Sequence, residues 1–199
     1  MISLKKKFTK LIFIFLSIYF FYGLTIYVSF FFAVYNTNEK QNQDFLILKI
    51  YGNSSSKDGN TVSARFSILD SNQNTITELE RSWSGNYLAV NFSRINLFGK
   101  EFIFPTEIFA KEKIFENSKN GIKLEKYYDE NKQCILFSQN YSLKSRKRLY
   151  LISRFVNKKY LVPTFNFIKN STINLSECKN DVFYIISCDK SGNLILHQM

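Results

Sequence analysis

Residues 5–36 read KKKFTKLIFIFLSIYFFYGLTIYVSFFFAVYN. From Leu11 to Tyr35 there are 25 residues without a charge, and sixteen of them are Leu, Ile, Val or Phe. As an α-helix this run would be about 37 Å long at about 1.5 Å per residue, against about 30 Å of bilayer hydrocarbon. Each large apolar side chain favours insertion by about 0.3–0.6 kcal/mol near the helix centre, which outweighs the few Ser, Thr and Gly in the run. The reading is a transmembrane α-helix.

A cleavable signal sequence carries a shorter apolar region, of about 7–15 residues, followed by a small-x-small cleavage site. Here Ala33 stands beside the bulky Phe31 and Phe32, and no cysteine precedes Cys134 to accept a lipid. The expectation is an uncleaved signal-anchor. Lys5, Lys6, Lys7 and Lys10 flank one side of it, whereas NTNEKQNQD on the other side holds only Lys40 beside Glu39 and Asp44. Lys and Arg close to a span resist translocation, so the N-terminus is expected in the cytoplasm and the rest of the chain outside it. This divides the chain into a basic cytoplasmic N-terminus (1–10), a span (11–35), a polar tether (36–44) and an extracytoplasmic domain (45–199).

The part beyond the span is long enough for one domain with a real core. Composition needs a discount before it is used. The chain has 20 Asn, 21 Lys and 21 Phe but 4 Ala, the bias an AT-rich genome produces. Its net charge of +11 includes the four N-terminal lysines, and the five N-x-[ST] sequons, at Asn53, Asn91, Asn140, Asn170 and Asn174, are little more than chance supplies. The three cysteines lack C-x-x-C spacing. Cys178 and Cys188 allow one bridge in an oxidising compartment, and three free thiols are the alternative.

From Phe45 onward, short alternating segments are separated by turn residues, which predicts a mainly β domain: an antiparallel meander or sandwich with one or two short helices. Expected strands are 45–51, 62–70, 75–83, 87–95, 98–104, 182–187 and 194–197, with 53–60 as a loop. Val62, Ala64, Phe66 and Ile68 alternate with polar neighbours and should face a core. Residues 106–115 carry Glu107 and Lys111 four apart and read as a short helix. GIKLEKYY and QCILF read as extended. Residues 140–156 fit a helix capped by Asn140 or Ser142, with Leu149, Ile152 and Val156 on one face, while RLYLISRFV would also serve as a buried strand.

No catalytic signature emerges. The single histidine, His197, is third from the C-terminus, so neither a His-based metal cluster nor a His-dependent triad is offered, and no cofactor motif is present. Asp70–Thr75 (DSNQNT) starts like a calcium loop, but Thr75 stands where that loop needs Gly and Arg81 where it needs Glu, so the reading is a hairpin turn. Glu78 and Glu80 share one strand face about 7 Å apart, a spacing that an anchored hydrolase could use. Trp83 and Tyr87, in RSWSGNY, form a distinctive pair that would serve either as a protein-partner contact or as core.

Residues 131–176 hold nine basic side chains and no acidic one. Lys144, Arg146, Lys147, Arg148, Arg154, Lys158 and Lys159 are the expected contacts to an anionic surface, either lipid headgroups or an envelope polymer. The predicted location excludes nucleic acid as a partner. The expectation is a non-enzymatic binding or structural domain held at a cell envelope, with the carboxylate hydrolase as the alternative.

Overall fold

The computed structural model describes residues 2–38, 44–56, 59–112, 121–137, 140–189 and 192–199. Helix α1 (Ile2–Asn36) runs unbroken. Its polar side chains do not compete with the helix: Ser17 and Thr25 donate to the carbonyls of Phe13 and Phe21, 2.9 Å each, one turn back. The segment Lys10–Asn36 is long and apolar enough to cross a membrane.

In chain order the strands are β1 (Asp44–Ser56), β2 (Gly59–Leu69), β3 (Thr75–Ser84), β4 (Tyr87–Leu97), β5 (Lys100–Lys111), β6 (Ile122–Lys123), β7 (Asp129–Glu130), β8 (Gln133–Cys134), β9 (Ile168–Asn174), β10 (Phe183–Cys188) and β11 (Leu194–Gln198). Helix α2 (Glu125–Tyr128) is one turn, and α3 (Leu143–Val156) is the main helix of the domain. The strands form a five-stranded antiparallel sheet in the order β11-β10-β1-β2-β3, a four-stranded sheet in the order β6-β5-β4-β9, and the small β7-β8 pair. The two large sheets share one core, bridged for example by Phe45 of β1 against Phe92 of β4 at 5.8 Å.

The alternation in β2 decides its faces. Val62, Ala64, Phe66 and Ile68 are all buried, and Phe66 meets Trp83 of β3 edge-on at 5.8 Å. The meander holds from β1 to β3, and the turn at Ser84–Asn86 then carries the chain into the other sheet. Most of the expected 53–60 loop is strand instead, because β1 and β2 continue pairing out to Ser56 and Gly59; Lys57 and Asp58 lie outside the described residues.

The helix expected over 106–115 is not there. Residues up to Lys111 are the end of β5, with Asn91 opposite Glu107 and Tyr87 opposite Lys111; residues 113–115 lie outside the described residues. An i,i+4 Glu–Lys pair is worth only a few tenths of a kcal/mol, less than a full ladder of strand pairing can offer. Pro105 is tolerated within β5 because the register shifts beside it, between Asn91 and Phe92. GIKLEKYY is extended only at Ile122–Lys123, then turns into α2. Helix α3 forms as expected, with the Ser142 hydroxyl accepting from the Ser145 N–H at 3.2 Å. Strand β9 was not anticipated: five of its seven residues are polar and exposed, so no apolar alternation announces it.

The end of α1 belongs to the domain. Phe30, Ala33, Val34 and Thr37 are buried in the same core as the sheets. Phe30 stacks on Phe155 of α3 at 3.9 Å, and Tyr27 meets Phe155 edge-on at 5.9 Å. Two cations close the helix C-terminus, where the backbone carbonyls and the macrodipole attract positive charge. Lys100 donates to the carbonyls of Val34 and Tyr35 and to Asn38 Oδ1, and Arg148 donates to the carbonyl of Asn36. Of the polar tether expected over 36–44, residues 39–43 lie outside the described residues. Asn36 and Thr37 are part of the helix end and its packing rather than a spacer.

Candidate binding cleft

The pairing of β4 with β9 sets Asn91 opposite Thr172 and Ser93 opposite Asn170. Their side chains lock across the strands: Thr172 Oγ1 donates to Asn91 Oδ1 at 2.7 Å, and Ser93 Oγ donates to Asn170 Oδ1 at 2.8 Å. Asn91 in turn donates to Glu107 Oε2 at 3.2 Å, and Lys123 neutralises that carboxylate at 3.0 Å from Oε1. Gly121 leaves the room that Glu107 occupies, since a methyl group there would overlap the carboxylate. Thr106, Phe109 and Lys111 of β5 form a further side, with the Lys111 ammonium 5.5 Å from the centre of the Phe109 ring. The last wall is the C-terminal end of α3, with Val156, Asn157 and Lys158. Together they enclose a cleft of about 460 Å³.

The lining of this cleft is mostly polar. Its lining offers three amides, three hydroxyls and two phenylalanines, and its charged lining residues are Lys111 and Lys158. Such a set recognises hydroxyl groups by hydrogen bonds and a negative group by two ammoniums. Glu107 lies beneath, buried and ion-paired, not aimed at a substrate.

Behind the wall lies a buried polar cluster. Asn157 Nδ2 donates to the Ser153 carbonyl at 3.0 Å and lies 3.5 Å from Tyr128 Oη, while Ser153 Oγ donates to the Asp129 carboxyl. Asp129 sits opposite Cys134 in the β7-β8 pair. Burial pushes the Asp129 carboxyl up to about 7, against the opposing pull of hydrogen bonds from Ser153 and Cys134. Burial also holds the Cys134 thiol and the Tyr128 phenol well above their ordinary ranges, so both stay protonated at neutral pH.

The residues singled out in the sequence are dispersed. Lys144 and Lys147 are exposed on α3, Arg146 is half-buried, and Arg148 is committed to the end of α1. Arg154 lies between the rings of Tyr150 and Tyr160, at 5.8 and 5.6 Å, and Lys159 pairs with Glu125. Of the seven, Lys158 reaches the cleft, where it joins Lys111, which the sequence marks only as half of a helical i,i+4 pair with Glu107. Trp83 is a core residue at 6% exposure, which removes it from any surface contact; Tyr87 is half-buried. Glu78 and Glu80 lie on the solvent face of β3, away from the cleft. Glu78 pairs with Arg65, and Glu80 accepts from Tyr51 Oη at 3.2 Å. Asp70 is a turn residue: its Oδ1 accepts from the N–H groups of Asn72 and Asn74 at 2.8 and 2.9 Å. Among the described residues no group of three His, Cys, Asp or Glu side chains is placed to hold a metal ion.

All three cysteines are free thiols. Lys179, next to Cys178, is tied through its N–H to Tyr184 Oη at 2.9 Å, near the start of β10, whereas Cys188 ends that strand.

No protein-family model, no curated protein and no solved structure matches this chain. Its function is therefore argued from its own geometry.

Proposed function

We propose that this is a single-pass membrane protein that keeps its N-terminal helix and presents an extracytoplasmic β domain, whose cleft binds an anionic, hydroxyl-rich component of the cell envelope. One observation carries the reading: α1 is bare along Leu11–Tyr22 yet buried in the domain core at Phe30, Ala33 and Val34. Twelve consecutive exposed residues, nearly all apolar, need a non-aqueous covering. Cleavage after Val34 would remove Phe30, Ala33 and Val34 from that core.

Lys5, Lys6, Lys7 and Lys10 favour a cytoplasmic N-terminus, which puts the β domain on the opposite side. Within the cleft, the pairing of Lys111 and Lys158 with amides and hydroxyls suits a phosphodiester-linked polyol, whether as a lipid headgroup or as a polymer. A hydrolase working through Glu78 and Glu80 is the weaker reading, because both carboxylates are engaged on an open strand face.

Intact mass of the membrane-extracted chain tests retention of the helix. The expected species begins at or next to Met1, and one beginning between about residue 24 and residue 38 would refute the anchor. Binding of the full chain in micelles to poly(glycerol phosphate), to glycerophosphoglycerol and to uncharged dextran tests the cleft and separates polymer from headgroup. Equal binding to the uncharged polymer would refute the anionic specificity.

A further inference from the structure

The loop that follows α3, running KKYLVP from Lys158 to Pro163, contains the most exposed large apolar side chain among those described, Leu161 at 81%. It does not project into open space beside the sandwich. It lies along the bare part of α1: Val162 packs over Gly23, Tyr19 Oη donates to the Leu161 carbonyl at 2.8 Å, and Tyr27 Oη donates to the Pro163 carbonyl. An apolar groove lined by Phe13, Leu16, Phe20, Leu24, Val162 and Pro163 opens between helix and loop.

We infer that this loop is a wedge that enters the outer leaflet of the membrane beside α1, with acyl chains covering Leu161 and filling the groove. The inference rests on the spanning role of α1 proposed above. Depth follows from where the domain stops covering the helix. The domain covers one face of α1 from Phe30 onward, at Phe30, Ala33 and Val34, while Phe32 and Tyr35 stay exposed on the other face; the outer edge of the hydrocarbon is placed near Tyr27, where that cover begins. Counting back about 20 residues, or about 30 Å, reaches Phe8 and leaves Lys5, Lys6 and Lys7 among the cytoplasmic headgroups. The 25-residue apolar run is longer than a bilayer needs, and its excess is the part that packs one face, Phe30, Ala33 and Val34, on the domain. On this placement Gly23 lies about 6 Å below the outer edge and Tyr19 about 12 Å below it.

The chemistry of the loop fits that depth. Irregular backbone is tolerated in hydrocarbon only where its polar groups find protein partners, and the two tyrosines of the span supply donors to two of the loop's carbonyls. Lys158, just before the apolar tip, stands at headgroup level, where a long cationic side chain reaches water and phosphate.

The test places a single added tryptophan in the full chain and reconstitutes it into phosphatidylcholine and phosphatidylglycerol vesicles, with and without brominated acyl chains. Trp83, the one native tryptophan, gives the baseline emission. Leu161→Trp reports the loop, Phe20→Trp the span, and Leu143→Trp an exposed site at the other end of α3, about 21 Å away. At Leu161 and Phe20 the brominated chains are expected to remove at least half of the added emission, and at Leu143 to leave it intact. Quenching at Phe20 without quenching at Leu161 would overturn the wedge and leave the span standing. Absence of quenching at both would overturn span and wedge together, and equal quenching at all three sites would overturn the assigned depth.

Discussion

Replacing Asp129 by Asn should make the domain more stable, by an amount that grows with pH. The carboxyl is buried between β7 and α3 and titrates near 7 in the folded chain, against about 3.9 in an unfolded one. Between those values the unfolded chain has given up its proton while the folded domain still holds it. Folding is thus penalised progressively as pH rises from about 4 to about 7, and by a constant amount above that. At about 1.4 kcal/mol per pH unit the penalty reaches about 4 kcal/mol. Asn cannot ionise, and its side-chain carbonyl can still accept the Ser153 hydroxyl that now bonds to Asp129. Urea unfolding of the full chain in micelles, followed by the emission of the buried Trp83, measures this directly. With an m-value of about 2 kcal/mol/M, the Asn variant should match the parent near pH 4 and exceed its midpoint by about 2 M at pH 8. The charges of Glu125, which raises the Asp129 value, and of Arg154, which lowers it, act on that carboxyl in the parent alone and are already contained in its value of about 7. Midpoints that stay parallel across pH 4–8 would refute the argument that desolvation holds the proton on Asp129.

Three further outcomes are expected. Lys100→Met combined with Arg148→Met removes both cations from the end of α1; each is worth about 0.3–2 kcal/mol, so the thermal midpoint of the micelle-bound chain should fall by several degrees. Phe30→Ala vacates the stacking site on Phe155 and should cost about 3–5 kcal/mol in urea unfolding, whereas Phe20→Ala, on the bare part of α1, should leave that unfolding unchanged. Lys111→Gln and Lys158→Gln should each weaken binding to poly(glycerol phosphate) by about fivefold, the equivalent of about 1 kcal/mol per basic residue, while Glu78→Gln with Glu80→Gln should leave that binding unchanged.

Local periodicity carried the architecture where it was strong. The uncharged run of α1, the alternation of β2 and the apolar face of α3 each announce their element, because each buries a regular stripe. The signal fails where partners far away in the chain decide. Thr106–Lys111 has helix-forming residues, yet becomes strand because β4 pairs with it. β9 is mostly polar because it lies at the edge of its sheet, where Ile168 and Ile173 pack against the core and the other five side chains are exposed. The cleft was illegible for the same reason: Asn91, Lys111, Asn157 and Thr172 come from four elements, and nothing in their neighbourhoods marks them as one site in a chain so rich in Asn and Lys. The basic stretch was visible as a run of charge, but charge does not say where a side chain is used. Arg148 closes a helix, Arg154 packs between tyrosines, and Lys158 alone of the seven lines the cleft.

The position of β1 has a consequence for synthesis. In the finished sheet it lies between β2 and β10, so one of its edges is closed only by a strand close to the end of the chain. About 130 residues separate the two strands, and at about 5–20 residues per second the ribosome needs roughly 7–26 s to supply the second after the first. Throughout that interval the nascent chain carries an open ladder of N–H and C=O groups along a strand whose Leu46, Leu48 and Ile50 are destined for the core, a template for pairing with any neighbouring chain. A chain that stalls or is cut before Phe183 never closes it.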